Sequence, residues 1–405
     1  MTDLELFDVV VVGGGPSGAT AANDLAKCGK RVLMLDKAGR TKPCGGAIPP
    51  RLIKDFEIPR SLLVAEINSA RMISPADKAV DMPIDGGYVG MVDRDTFDEW
   101  LRCRAVASGA ERRTGTFEEL RRDSDGIAIV RYSQRGNKGD DVVTDVRARS
   151  VIGADGAVSA VARQAIPKAK KAPFVFAYHE IIEMPEQPVG ETATAGSYDG
   201  KRCDVIYNGH LSPDFYSWIF PHGRTASVGT GTAHKGFSMR DAVGELRKLN
   251  GLDGMKTLRR EGAPIPLKPL SKWDNGRDVI LAGDAAGVVA PASGEGIYYA
   301  MYGGRLAADA VNAFLQTGNP RELAQARKRF MKAHGTVFKV LSIMQYFWYK
   351  NDKRRERFVE ICRDKDVQEL TWQSYMHKEL VRKKPIAHVR IFFKDLAHLV
   401  GIYPA

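Results

Sequence analysis

Phe7-Asp8-Val9-Val10-Val11-Val12 is a β-branched run that ends directly on Gly13-x-Gly15-x-x-Gly18, and few folds accept that juxtaposition. An apolar run without polar alternation fits a strand buried on both faces of a parallel sheet. The glycines then have separate duties. Gly13 allows the tight turn, Gly15 lets a pyrophosphate approach the backbone, and Gly18 lets the next helix pack closely. Ser17 to Lys27 is rich in Ala and Leu and reads as that helix, whose N-terminus attracts negative charge, and Arg31 to Asp36 reads as a second buried strand. Asp36 stands 18 residues beyond Gly18, where a carboxylate can bond a ribose hydroxyl. A βαβ dinucleotide-binding unit is therefore expected at the start of the chain.

Two further glycine-aspartate segments end strand candidates. Gly153-Ala154-Asp155-Gly156 follows Ser150-Val151-Ile152 and, taken alone, fits a tight turn better than a ligand site. Gly283-Asp284-Ala285-Ala286-Gly287 follows the apolar run Val279 to Ala282. Asp284 there either caps a helix or bonds the ribityl chain of a flavin. A helix beginning near Gly294, at Gly294-Glu295-Gly296, would turn its positive end toward an isoalloxazine ring.

Between these segments the pattern changes. Pro43 to Pro59 is loop-rich, Thr96 to Ser108 has apolar residues at helical spacing, and Ile127 to Ile152 is strand-like. Phe174 to Gly231 is a series of strand candidates bounded by Pro and Gly, which predicts a separate antiparallel sheet. From about Pro320 the chain reads as helical, basic and aromatic. A length of 405 residues exceeds one ordinary domain. The expected division is a discontinuous nucleotide domain (1–67, 95–165 and 270–320), a substrate domain (68–94 and 166–269) and a basic helical region (321–405).

Charge and cysteine usage narrow the class. Of the net charge of +11, +10 lies in residues 321–405, where 19 Lys and Arg face 9 Asp and Glu. No nucleic-acid module is visible, so the bland reading is a solvated basic face. The sharper one is docking on an anionic membrane surface through segments such as Gln345–Lys350 and Val381-Arg382-Lys383-Lys384. The apolar stretch Thr336 to Tyr349 is broken by Lys339, Ser342 and Gln345, so no spanning helix is expected. Met1 to Leu6 carries no signal-peptide pattern, and a cytoplasmic protein is expected, peripheral to a membrane at most. Cys28, Cys44, Cys103, Cys203 and Cys362 show no C-x-x-C spacing, and His179, His210 and His222 have no partner at ligand spacing, so neither disulfide nor metal is assigned.

Gly13-x-Gly15-x-x-Gly18, Gly153-Ala154-Asp155-Gly156 and Gly283-Asp284 together resemble the FAD enzymes typified by aromatic hydroxylases, and Arg94 in Asp93-Arg94-x-x-Phe97-Asp98 matches an arginine that group places near the flavin. Within the group the chain resembles the geranylgeranyl reductases, closest to their bacteriochlorophyll branch. The matching segments are Lys42-Pro43-Cys44-Gly45-Gly46-Ala47-Ile48-Pro49, Pro213-x-x-Tyr216-x-Trp218-x-Phe220-Pro221, Pro291–Ile297, Lys353–Phe358 and Ile391–Leu396. The resemblance implies an α/β (α+β overall) architecture: a Rossmann-type FAD domain of the aromatic-hydroxylase, glutathione-reductase-like class, an antiparallel substrate domain and a helical C-terminal region.

It also implies a reaction. NADPH reduces non-covalently held FAD, and three of the four double bonds of a geranylgeranyl chain, on bacteriochlorophyll or on a free diphosphate, are saturated to phytyl. The cofactor residues carried over are Gly13, Gly15, Gly18, Asp36, Cys44, Gly45, Arg94, Asp155, Gly283, Asp284, Gly294 and Gly296. No second G-x-G-x-x-G is visible for NADPH. An isolated alkene is a poor hydride acceptor, so a proton must reach one carbon as hydride reaches the other. Cys44 is the candidate for controlling that proton, against the plain reading of a small buried thiol. Tyr216, Trp218 and Phe220 alternate and share one face of a strand, as core or as the wall of a prenyl site. Two alternatives stay open: a hydroxylase of the same flavin group, and a non-catalytic carrier of prenylated pigment.

Overall fold

A computed structural model describes residues 4–37, 41–136, 140–166, 172–184, 194–195 and 198–378. The segments Val381–Lys384 and Ile391–Leu396 lie outside the described residues. The chain forms two compact units, one of residues 1–44, 94–175 and 264–342, the other of 45–93, 176–263 and 343–405. The part from 321 onward is thus divided between them after Ser342.

The first unit is built on a seven-stranded sheet. Leu6–Val12 lies parallel between Val32–Asp36 and the C-terminal half of Asp141–Gly153. Glu111–Thr114 continues the parallel set beyond Val32–Asp36. Asp141–Gly153 is long enough to divide its other edge: its first half pairs antiparallel with Ala128–Arg135, and its last three residues pair parallel with Val279–Leu281. That division brings Gly153 and Leu281 side by side, so two of the glycine-aspartate turns leave the same edge of the sheet. Val9 to Val11 are fully buried, as their β-branched run predicts.

Helix Pro16–Lys27 packs against Arg94–Ala107 and Ile297–Thr317. It approaches the second of these closely because position 304 is glycine: a Cβ there would stand 2.2 Å from the Ser17 carbonyl oxygen. The glycine turn, the start of Arg94–Ala107 and the start of Ile297–Thr317 are fixed by this arrangement.

The second unit contains a seven-stranded sheet in the order 257–266, 174–183, 225–232, 217–222, 202–206, 69–73, 79–83. The strands from Phe174 to Gly231 pair antiparallel, as expected, and the sheet gains a parallel pair where Arg202–Ile206 meets Ser69–Ile73 from outside that stretch. Strands so distant in sequence need no hairpin, and either direction satisfies their backbone groups. Helix Met239–Leu249 covers one face, burying Ala242, Val243 and Leu246 against Ile219 and Val228. A three-stranded sheet joins Ala47–Ile48, from the loop-rich segment, to Val89–Val92 and Leu63–Ile67 beyond it. Helices Asp352–Ile361 and Lys365–His377 complete the described part of the unit.

Candidate functional site

In the first unit the glycine turn is shaped by contacts. Gly13 has φ +111°, and a Cβ on it would meet the Ala154 carbonyl oxygen at 2.3 Å. The turn of the second glycine-aspartate motif therefore packs onto the first. A Cβ on Gly18 would stand 1.8 Å from the Gly13 oxygen, whereas one on Gly15 would meet nothing within 4 Å. The position assigned to a pyrophosphate is thus the open one. Gly15 also precedes the first turn of Pro16–Lys27, and no side chain caps that turn, which leaves helix N–H groups for an anion.

Asp36 stands at the same opening and accepts a hydrogen bond from the Gly14 amide at 3.2 Å. Arg102 lies 3.4 Å and Arg112 3.9 Å from its carboxylate. Both guanidiniums are tied to Glu99, whose carboxyl is pulled down to about 2, first by the Arg112 hydrogen bond. Sequence reasoning passed over Arg102 and Arg112, although Arg102 follows from Arg94 by two helical turns on an element already singled out.

Asp155 has a local duty. Its carboxylate accepts from the Ser159 hydroxyl at 2.5 Å and from the amides of Ala160 and Val161 at 2.6 and 3.2 Å. It therefore satisfies the start of helix Ala160–Ala165, while burial pushes its carboxyl upward against those bonds.

The third motif forms a 3-10 turn, Gly283–Ala286, closed by Gly287 in the left-handed region. The Asp284 carboxylate pairs with the Lys42 ammonium, a partner 242 residues away that no spacing rule could find. Helix Ile297–Thr317 starts from Gly296 without a side-chain cap, so the N–H groups of its first turn are left for an anion, whereas the Gly294 and Glu295 amides just before it donate to the Ala290 carbonyl and the Ser293 hydroxyl. At the start of Arg94–Ala107, Arg94 holds Asp98 through bonds of 2.8 and 2.7 Å and also hydrogen-bonds Cys44. An open pyrophosphate position, two uncapped helix N-termini and carboxylates at Asp36 and Asp284 fit an FAD molecule.

The second unit holds the aromatic residues. Tyr216, Trp218 and Phe220 follow one another along a single face with ring centroids 6.0 and 6.1 Å apart. Trp218 faces Gly229 on the next strand, and a Cβ there would stand 2.3 Å from its ring. The indole N–H donates to Ser227, which also meets His179. Phe220 lies over Gly45, with its ring 3.0 Å from where a Cβ would be, and Gly45 is the residue after Cys44. His222 faces Gly46, a glycine at φ +72°. None of the five cysteines is joined in a disulfide. Among the described residues no cluster of His, Cys, Asp and Glu is arranged for a metal, and no helix is long and apolar enough to cross a membrane.

Residues 7–179 match the pyridine nucleotide-disulphide oxidoreductase family model. The chain is 22% identical to a geranylgeranyl bacteriochlorophyll reductase-like protein from Thermoplasma acidophilum, with TM-score 0.78 over 95% of this chain and 100% of that one. A flavin-dependent brominase superposes with TM-score 0.72 at 17% identity, over 96% and 99% of the two chains. The fold is that of these flavin-dependent enzymes. The geranylgeranyl diphosphate reductase of Rhodobacter capsulatus is 56% identical over 398 residues, 98% of each chain. At that identity, sustained end to end, the chain belongs to the geranylgeranyl diphosphate reductase family.

Proposed function

We propose that the protein reduces geranylgeranyl chains, on bacteriochlorophyll or as the free diphosphate, to phytyl with NADPH as the electron source, in bacteriochlorophyll biosynthesis. The observation that carries this reading is the 56% identity over 98% of the chain to a geranylgeranyl diphosphate reductase. The Cys44 loop and the aromatic row agree with it.

Bound FAD would supply the hydride. The residues of the chain supply the rest. Gly13, Gly15 and Gly18 with the Pro16 helix end hold the pyrophosphate, Asp36 the adenosine ribose, and Asp284 the ribityl chain. Gly283, Gly294, Gly296 and Gly45 let the backbone come close to the cofactor, and Asp155 supports the turn beneath Gly13. Cys44 holds the proton at Sγ. As hydride reaches one alkene carbon, that proton passes to the other, the C=C bond becomes CH–CH, and the Arg94 guanidinium stabilises the thiolate left behind. Solvent then restores the proton. Tyr216, Trp218 and Phe220 give the prenyl chain a smooth apolar wall that excludes water.

The protein works at an anionic membrane surface, where its pigment or prenyl substrate resides. Exposed Ile343 and Tyr346 and the basic character of 321–405 support this. Binding to anionic vesicles that is lost at high salt is expected, and equal binding to neutral vesicles would remove the idea.

The deciding experiment is anaerobic incubation of the flavin-loaded protein with NADPH and either geranylgeranyl-bacteriochlorophyll or geranylgeranyl diphosphate, reading product mass. A gain of six hydrogens identifies the substrate. Flavin reduction with no gain in either would leave the hydroxylase or the carrier, which oxygen uptake then separates.

A further inference from the structure

The aromatic row does not end at Tyr216. In the second unit the Tyr207 ring follows it at 6.1 Å. Beyond Tyr207 stand Tyr349 at 5.3 Å and Phe358, edge-on, at 5.1 Å. Those last two come from the helical part of the chain more than 125 positions further on in sequence than Trp218. From Phe220 on Gly45 to Phe358 the rings make four steps of 5.1 to 6.1 Å, commensurate with the four isoprene units of a C20 chain. Trp218 and Phe220 project from the sheet face opposite the one that carries Ile219 under helix Met239–Leu249.

The far end of the row is buried and tethered. Tyr207 and Tyr349 are 5% and 4% exposed, and their hydroxyl oxygens are 3.5 Å apart. Burial pushes both phenols well above their ordinary range, so both remain neutral. Arg355, 1% exposed, donates to the Tyr349 carbonyl at 2.7 Å and to that of Pro213. One guanidinium therefore ties the backbone of Tyr349 to the turn that leads into Tyr216.

We infer that Tyr349 and Phe358 set the length of prenyl chain the protein accepts. This rests on the reductase reading. A chain laid along the row from Phe220 meets these two rings after its fourth isoprene unit, and a fifth unit must displace a packed, tethered ring or stay in water.

The test uses the flavin-loaded protein, reduced by NADPH or by dithionite, with geranylgeranyl diphosphate (C20) and geranylfarnesyl diphosphate (C25). Wild type is expected to reduce C20 and to reduce C25 at least tenfold less efficiently in kcat/KM. Tyr349→Ala and Phe358→Ala should raise the C25-to-C20 ratio at least tenfold, and Tyr349→Phe should leave it unchanged. If the alanine variants lose their flavin or fail to fold, Phe358→Leu and Tyr349→Leu take their place and should raise the ratio severalfold. A ratio that stays constant while both rates fall overturns the inference and leaves the reductase reading standing. Wild type that reduces no prenyl substrate with either reductant overturns both.

Discussion

Arg94 and Asp98 face each other one turn apart on helix Arg94–Ala107 and share two hydrogen bonds, with side chains only 6% and 8% exposed. Burial works against the Arg94 charge, yet Asp98 and Cys44 more than offset it, and the guanidinium is held above its ordinary range. Asp98→Ala would strand that charge, at a cost of about 3–5 kcal/mol. The expected result is a lower urea midpoint at pH 7 with an unchanged slope. Arg94→Lys keeps the charge but loses the two-pronged geometry, and should recover only part of the loss seen in Arg94→Ala. A midpoint for Asp98→Ala equal to wild type would mean that water reaches the pair.

Asp284 pairs with Lys42 across the first unit, so its carboxylate is already oriented where the ribityl chain is proposed to lie. Asp284→Ala is expected to weaken FAD binding at least tenfold, read as flavin absorbance per protein and as Kd in titration of the apoprotein. Lys42→Met should weaken it less, since it removes the orientation and keeps the acceptor. An Asp284→Ala protein that purifies fully yellow would remove the residue from the cofactor site.

What the sequence could and could not reveal follows from distance along the chain. The strand, glycine turn and helix around Gly13 are neighbours in sequence, and their geometry is local. Arg94 and Asp98 are also local, being four apart on a helix. The Lys42–Asp284 pair depends on two loops meeting through the sheet order. The glycine beneath Trp218 is visible only when the register pairing Trp218 with Gly229 is known. Nothing in the segments of Tyr207 and Tyr349 points to the other: the sequence singles out Tyr349 only within Gln345–Lys350 as a membrane-docking segment, whereas the fold buries it to 4% exposure. Asp155 shows the opposite limit, since its short motif fits both a turn and a ligand site, and the three bonds to Ser159, Ala160 and Val161 emerge only from the fold.

Gly46 separates backbone strain from collision. Its φ is +72°, and a Cβ would stand 2.5 Å from both His222 Nε2 and the Val92 carbonyl oxygen. Gly29 has the same φ of +72° with nothing within 4 Å. Gly29→Ala therefore measures the left-handed strain alone, about 1 kcal/mol. Gly46→Ala should cost more, about 3 kcal/mol in all, because backbone must shift as well. Equal losses in thermal midpoint for the two would show that the loop bearing Gly46 yields freely.

His222 gives the protein a pH dependence of known sign. Its ring is 7% exposed, with Nδ1 3.1 Å from the Phe220 carbonyl oxygen. Burial lowers its pKa to about 4, the Phe220 bond opposes that, and His179 and Arg259 add to the lowering. An unfolded histidine takes its proton near pH 6.5, so between there and pH 4 the unfolded chain binds the extra proton and the folded one does not. The stabilisation from a neutral His222 is complete above pH 6.5 and falls away as pH drops toward 4, by about 3 kcal/mol in total. His222→Asn keeps a donor for the Phe220 carbonyl and has no proton to gain. Urea midpoints at pH 7.5, 6.5, 5.5 and 4.5 should therefore decline less steeply for the variant than for wild type, and parallel declines would show that water reaches the imidazole.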